Sequence, residues 1–170
     1  GKRNEVESLF PKETIEKIAQ FYDFFFDATT SVVYDGSSYI AIIAFGKTGE
    51  DGRSEQSLLF RESSSSRTIN IVNDDDIGTG HHIAIYVGAN DDDYEVAVQN
   101  CLDGGLLWVN TMFKDRVLDV TSAMKDKQFR FKDIIDLETG EVLYSIEHEI
   151  RSVEHHLFPG RPEKQIMSHN

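Results

Sequence analysis

The sequence predicts a mixed α+β fold in which two βαβββ modules form a curved mixed sheet around a shared cavity. Two observations support it: a strand, a helix and three strands are predicted twice in succession, and 170 residues with 39% hydrophobic content suffice for one core. We therefore expect a single domain over residues 1–170. Because one module alone would expose the apolar face of its sheet, the two are expected to pair and enclose a concave, ligand-binding surface.

The first module is predicted to span residues 5–62. Its helix begins at Pro11, since proline is favoured in the first helical turn. Apolar residues then recur every three or four positions, at Ile15, Ile18, Tyr22 and Phe25. Asp35-Gly36 is a strong turn signal between two runs rich in β-branched and aromatic residues, which predicts a hairpin. The predicted strands are 5–10, 30–34, 39–45 and 56–60.

The second module is predicted to span residues 81–151, after a linker at 63–80 that contains a serine run. Its helix, 91–103, carries three aspartates at the N-terminal end, where the helix dipole favours negative charge, and Gly104 ends it. Thr139-Gly140 marks a turn between the last two strands. The predicted strands are 82–87, 106–110, 129–135 and 141–150, followed by an irregular tail at 152–170.

Composition excludes several classes of partner. The chain has 30 acidic and 17 basic residues, a net charge of -13, which would repel both a nucleic acid and an anionic membrane surface. Cys101 is the single cysteine, so no intramolecular disulfide is available, and no apolar run is long enough to cross a bilayer. We expect a cytoplasmic protein with a small-molecule ligand. The two modules can pair within one chain or be exchanged between the two chains of a homodimer. Both arrangements bury the same sheet faces, so the sequence leaves both open.

The strand 82–87, the amphipathic helix after it, and 129–147 with the turn at 136–140 together resemble the second module of the vicinal oxygen chelate superfamily. That superfamily includes glyoxalases, extradiol dioxygenases and bleomycin resistance proteins. The aromatic segment 18–28 is similar to the family's first helix. The resemblance implies one divalent metal, Fe, Mn, Ni or Zn, held by a residue from the first strand and a glutamate from the last strand of each module.

Carried over residue by residue, the resemblance implies that His82 is a metal ligand and that Glu5 holds the corresponding place in the first module. Tyr144 stands where the family has its last-strand glutamate, and a neutral phenol is a poor ligand for a hard ion. Strand alternation puts His148 on the same face as Tyr144, whereas Glu147 joins the cavity only if the register is shifted.

Two further polar positions bear on the cavity. In the first module Gln56 or Glu62 takes the last-strand place. Arg130 lies in a charged stretch that is predicted to be solvated surface; if it faced inward, its guanidinium would orient a carboxylate. The predicted cavity residues are Glu5, Gln56, His82, Tyr144 and His148, with Glu147 as a conditional metal ligand.

Three functions stay open at this point. The first is a metal-dependent lyase, isomerase or dioxygenase, in which the ion would bind adjacent substrate oxygens. The second is a metal-free protein, similar to the drug-sequestering branch, that encloses a cationic or aromatic small molecule. The third is a non-catalytic member that keeps the fold without the site. The sequence therefore predicts a small-molecule protein without fixing a reaction.

Overall fold

The computed structural model describes residues 2–48, 54–62, 82–112 and 116–158, with the side chains of residues 11–46, 56–62, 82–112 and 116–158. Its elements, in chain order, are β1 Lys2–Phe10, α1 Lys12–Phe26, β2 Thr29–Tyr34, β3 Tyr39–Thr48, β4 Ser54–Glu62, β5 His82–Val87, α2 Asp91–Asp103, α3 Val120–Asp126, β6 Gln128–Ile135 and β7 Val142–Ser152. The predicted linker and residues 159–170 of the predicted tail lie outside the described residues. No described helix is long and apolar enough to cross a membrane.

The predicted α+β class is confirmed, but the strands form two sheets rather than one. The first half, residues 2–62, contributes a four-stranded sheet in the order β1-β4-β3-β2. The second half, residues 82–158, contributes a three-stranded sheet in the order β5-β7-β6. Each sheet contains one parallel pair, β1 with β4 and β5 with β7, and its other pairs are antiparallel.

The first half follows the predicted order of strand, helix and three strands. The hairpin of β2 and β3 turns at Asp35 and Gly36, as predicted. The Asp35 carboxylate accepts hydrogen bonds from the backbone N–H groups of Ser37 and Ser38, and Gly36 has a φ of 97°. A positive φ of this size favours glycine, so the sequence signal has a direct structural cause.

The second half departs from the predicted order. Residues 106–110 do not form a strand; the Trp108 N–H donates to the Arg130 carbonyl at 2.9 Å, and no ladder follows. Instead the chain forms the short helix α3, whose first turn is capped by the Asp119 carboxylate accepting from the Ser122 N–H at 2.7 Å. Among the described residues the second half is therefore βααββ.

The apolar core lies between the helices and one face of each sheet. Helix α1 contacts β2, β3 and β4 of the first sheet and β6 of the second. Its phenylalanines bridge the two halves; the rings of Phe26 and Phe131, for example, stack with centroids 5.5 Å apart. Cys101 of α2 is fully buried in this core, where it packs as a small hydrophobic side chain.

One histidine is part of this core. His148, a predicted cavity residue, is fully buried and stacks on Phe131 with centroids 4.1 Å apart. Its Nδ1 lies 2.7 Å from the Ile146 carbonyl, so Nδ1 carries the proton, and Nε2 accepts from the Tyr22 hydroxyl at 2.6 Å. Burial lowers the pKa of His148 from 6.5 to about 3.

The edge of the second sheet is tied to the first half by a side chain. Gln56 of β4 donates from Nε2 to the Ala84 carbonyl at 3.2 Å and accepts on Oε1 from the Tyr86 N–H at 2.8 Å. These two groups lie on the edge strand β5, so the amide of Gln56 makes the bonds that a neighbouring strand would otherwise make. Gln56 thus connects the two halves.

Replacing Gln56 with Ala should lower the free energy of unfolding by about 2 kcal/mol, because two backbone groups of β5 lose their partner. Chemical denaturation followed by circular dichroism measures the change. Gln20→Ala, an exposed position of α1, is the matched control and should be neutral. Equal stability of Gln56→Ala and Gln20→Ala would show that the amide does not hold the halves together.

Stability should fall below pH 6.5 because of His148. The folded protein keeps this ring neutral down to about pH 3, whereas the unfolded chain binds a proton near pH 6.5, so acid favours unfolding. Each pH unit below 6.5 should cost up to about 1.4 kcal/mol from this residue. Urea denaturation at pH 7 and at pH 4.5 measures the slope; Tyr22→Phe/His148→Phe, which replaces both partners with apolar groups, should show a shallower one. An unchanged slope in that variant would contradict the assignment.

Candidate functional site

The second sheet has one apolar and one charged face. Successive residues of a strand point to opposite faces, so in β7 His148 and Ile150 enter the core. Glu147 and Glu149 lie on the other face, yet both are buried, with 1% and 3% of their surface exposed. Two buried carboxylates on one strand require compensating charge or hydrogen bonds close by.

Strand register brings His82 to this charged face. In the parallel ladder of β5 and β7, His82 lies opposite Glu147 and Ala84 opposite Glu149. The His82 Nε2 is 3.4 Å from Glu149 Oε2. The ladder of β6 and β7 is irregular between Phe131 and Asp133. The structure therefore places His82, a predicted cavity residue, and Glu147, the conditional metal ligand, on the same face of the second sheet.

Arg130 of β6 lies between the two glutamates, and its expected place on a solvated surface is wrong. It is 5% exposed; Nη1 is 2.6 Å from Glu147 Oε1 and Nη2 is 2.7 Å from Glu149 Oε2. Asn110 donates to the other oxygen of Glu147 at 2.8 Å, and Arg151 Nε donates to the other oxygen of Glu149 at 2.6 Å. Every oxygen of the pair thus accepts from an amide or a guanidinium.

This donor set does not fit a divalent ion. Such an ion needs deprotonated ligands whose lone pairs converge on it. Here the lone pairs of both carboxylates converge on a guanidinium instead. No group of three or more His, Cys, Asp or Glu side chains that could hold a metal occurs among the residues that the structure describes. Glu5 lies opposite Leu59 in the ladder of β1 and β4, and its side chain is outside the described part.

The other predicted cavity residues lie elsewhere. Tyr144 is half-buried and packs against the core on the same side as His148. Burial, together with the nearby Tyr144, raises the pKa of Tyr22 well above its ordinary value, so the Tyr22–His148 pair stays neutral. Gln56 is engaged by β5, and Glu62 accepts from the Tyr39 N–H at 3.0 Å. These residues are parts of the core and of the sheet connections.

A cleft of about 360 Å³ lies between the two halves, away from the charged cluster. It is bounded by the C-terminal end of α1, the ends of β3 and β5, and one face of α2. The lining consists of residues 23–29, 44–46 and 87–89, together with Asp93, Val96, Ala97 and Asn100. Sequence reasoning predicted a site between the halves but did not place it here. The run Phe24-Phe25-Phe26, flanked by Asp23 and Asp27, is the signal that could have found it.

The lining combines negative charge with aromatic surface. Asp23 and Asp27 are exposed on its α1 side and Asp93 on its α2 side, and none of the described lining residues is basic. The chain leaves α1 at Asp27 in a left-handed conformation, with a φ of 49°, so the negative end of the helix dipole lies beside the cleft. Phe24 is 64% exposed and offers a ring to a ligand.

Comparisons with known proteins add one structural likeness. No protein-family model and no curated protein sequence matches the chain. Among solved structures, one described as that of a possible glyoxalase from Bacillus cereus covers 88% of this chain and 96% of its own, with 9% sequence identity and a TM-score of 0.44. Values this low leave the family of the chain open.

Proposed function

We propose that this protein binds a small organic cation in the cleft between its two halves, without the help of a metal ion. The observation that carries the proposal is the composition of the cleft: three aspartates, several aromatic rings and no basic side chain in its described lining. This is the metal-free alternative among the functions that the sequence leaves open.

The size of the cleft suits a small molecule. Pockets that bind such ligands usually enclose roughly 300–1,000 Å³ and are formed mainly by apolar and aromatic residues with a few polar groups. At about 360 Å³ the cleft accommodates a ligand of two or three fused rings or a comparable aliphatic amine. Because both halves contribute to the lining, a bound ligand would contact each of them.

The electrostatic field of the chain favours a positively charged ligand. The whole chain carries a net charge of -13, which raises the local concentration of cations around it. Within the cleft, Asp23, Asp27 and Asp93 add to that field, and the C-terminal end of α1 points the same way. An anionic ligand would meet only repulsion from these groups.

The aromatic residues select the kind of cation. Phe24, Phe25, Phe26 and Phe45 all line the cleft; Phe24 is the exposed one, whereas the other three are buried in the core beneath it. A cation over the face of an aromatic ring gains about 0.5–2 kcal/mol, and an organic cation loses less hydration than a metal ion does. We therefore favour a flat aromatic cation or an alkylated ammonium ion over an inorganic one.

Binding is favoured over catalysis because of what the cleft lacks. The titratable side chains of its described lining are the three aspartates, and no histidine, cysteine or lysine accompanies them. A nucleophile such as serine or cysteine with an adjacent base is the usual requirement for acyl transfer. The charged cluster of the second sheet offers no substitute, since its carboxylates are already bound by arginines.

The carboxylates should control affinity for a planar dye cation. We expect ethidium to bind with a micromolar Kd and the anion fluorescein not to compete. Asp23→Asn/Asp27→Asn should weaken ethidium binding about ten-fold, equivalent to ~1.4 kcal/mol, at 50 mM salt. Asparagine tolerates the left-handed conformation of residue 27, so folding is preserved. Fluorescence titration measures both constants.

The control for this pair is Glu16→Gln/Glu95→Gln, which removes two charges from exposed positions of the same two helices outside the cleft. It should change the Kd less than two-fold. If both double variants weaken binding equally, only the net charge of the chain attracts the dye and the cleft is not its site.

The ring of Phe24 should contribute separately from the charges. Phe24→Ala is expected to weaken ethidium binding about three- to ten-fold with little change in Tm, because this side chain is 64% exposed. Val96→Ala, 60% exposed in the same lining, removes apolar surface without an aromatic ring and should have less than a two-fold effect. Equal losses in the two variants would indicate general hydrophobic contact instead of a cation–π interaction.

A further inference from the structure

The edges of the two sheets differ in how they are protected from other strands. The Gln56 amide binds the outer edge of β5, and the Trp108 N–H donates to the Arg130 carbonyl of the edge strand β6. Strand β1, KRNEVESLF, has four charged residues among its nine. The remaining edge is β2, which pairs with β3 alone among the strands that the structure describes.

The sequence of β2, TTSVVY, contains none of the features that usually keep edge strands apart. Such strands are commonly interrupted by a charged residue, a proline or a bulge, because an open row of N–H and C=O groups invites pairing. β2 has no charged residue and no proline, and its ladder with β3 runs from Thr29 to Tyr34 without a register shift. Val33 and Tyr34 are 41% and 59% exposed. This edge is therefore suited to receive another strand.

We infer that two copies of this chain form a homodimer by antiparallel pairing of β2 with β2, about a twofold axis at Val32. The interface lies on the outer edge of the first sheet and does not rest on ligand binding in the cleft. A second copy fits this edge because β2 can pair with itself in a register that uses all its outward backbone groups. Such a contact is closed, since joining two β2 strands leaves neither of them open, so the assembly stops at two.

The hairpin turn decides which backbone groups of β2 face outward. The Asp35 N–H donates to the Ser38 carbonyl at 3.2 Å, so these two residues form a hydrogen-bonded pair. Hydrogen-bonded and non-hydrogen-bonded pairs alternate along an antiparallel ladder. Counting back from the turn, Tyr34, Val32 and Thr30 occupy non-hydrogen-bonded positions opposite β3. Their N–H and C=O groups therefore point to the open edge.

A twofold axis at Val32 aligns these three residues with their counterparts. Val32 lies opposite Val32 of the second copy, and Thr30 of each copy lies opposite Tyr34 of the other. Each of the three pairs exchanges two hydrogen bonds, so the interface contains about six. An axis at Ser31 would align only about two such pairs within β2, since the backbone groups of Ser31 point to β3. The axis at Val32 is thus the register that uses every outward group of the strand.

The side chains of β2 fit the same register. Thr30, Val32 and Tyr34 share one face, on which Val32 packs against the core. The exposed Tyr34 ring would lie beside Thr30 of the second copy and lose part of its contact with water. On the other face, Ser31 lies opposite Val33 of the second copy, and both side chains are exposed. No charged side chain is brought opposite another within the strand pair.

The net charge of the chain limits the strength of the dimer. Each copy carries a charge of -13, so association works against repulsion, and an interface of six residues per chain is small. The strand itself is uncharged, and Asp35 at its end is paired with Arg61. We expect a Kd of about 10–100 μM at moderate ionic strength, and tighter association at high salt because the repulsion is screened.

Sedimentation equilibrium of the full chain, from about 2 to about 500 μM, measures this association. We expect a monomer–dimer equilibrium whose Kd falls at least about three-fold when salt is raised from roughly 0.05 to roughly 0.5 M. A chain that stays monomeric at the highest concentration in high salt would overturn the inference. A dimer that salt dissociates would overturn it too, since its contacts would be ion pairs.

Two double variants at the same positions test the strand and its register. Ser31→Lys/Val33→Lys puts lysine opposite lysine on both sides of the axis and should raise the Kd at least about 30-fold. Ser31→Lys/Val33→Glu puts lysine opposite glutamate and should keep the Kd within about five-fold of the wild type. The double-lysine variant has the smaller net negative charge, so general repulsion alone predicts the opposite order.

Gln20→Lys/Gln99→Lys is the matched control, because it adds the same charge at exposed helix positions and should leave the dimer intact. Circular dichroism checks the folding of each variant. If the double-lysine variant does not fold, Thr30→Pro takes its place; it removes an outward N–H without breaking the ladder with β3 and should also dissociate the dimer.

Two results with folded variants contradict the inference. A dimer that persists in the double-lysine variant, or in Thr30→Pro, uses another surface of the chain. Dissociation of the lysine–glutamate variant together with the double-lysine variant shows that Ser31 does not face Val33 across the axis. Loss of the dimer in the double-lysine variant alone, with the control unchanged, is the result that we expect.

Discussion

The rest of the structure depends on β7 being buried on both faces. Between Glu147 and Ile150 its side chains are buried on both faces of the second sheet, at 3% exposure or less. On one side His148 needs a hydrogen-bond partner within an apolar core and finds it in Tyr22 of α1. On the other side Glu147 and Glu149 need positive charge and find Arg130. Both requirements fix the position of β7 relative to its neighbours.

The acidic residues fall into two groups: some are bound by other side chains inside the fold, and others are exposed and available to a ligand. The carboxylates of Glu147 and Glu149 are matched by two arginines and an amide, so their cluster is close to neutral and its oxygens are occupied. Asp23 and Asp27 lie at the end of α1, exposed and without a basic residue in the described lining beside them. An excess of unmatched negative charge next to aromatic rings is what a cationic ligand recognises.

Elements with a strong local signal could be predicted from the sequence. The apolar spacing of α1, the aspartates in the first turn of α2 and the Asp35-Gly36 turn each act within a few residues, so their patterns are visible along the chain. Helix α3 has seven residues and a single buried side chain, Ala123, which is too little for a periodic pattern. Residues 106–110 read as a strand because they are apolar, yet ladder formation depends on a partner far away in sequence.

The charged cluster shows why the site was harder to predict than the fold. The family resemblance pointed to His82, whereas strand alternation favoured His148 beside Tyr144 and admitted Glu147 only with a shifted register. The oxygens of Glu147 are bound by Asn110 and by Arg130, which precedes Glu147 by 17 positions. Its immediate neighbours are the buried Phe129 and Phe131, a pattern that also fits an exposed position on a half-buried strand. The positive charge that compensates Glu147 and Glu149 can be assigned to Arg130 only when the register of β5, β6 and β7 is known.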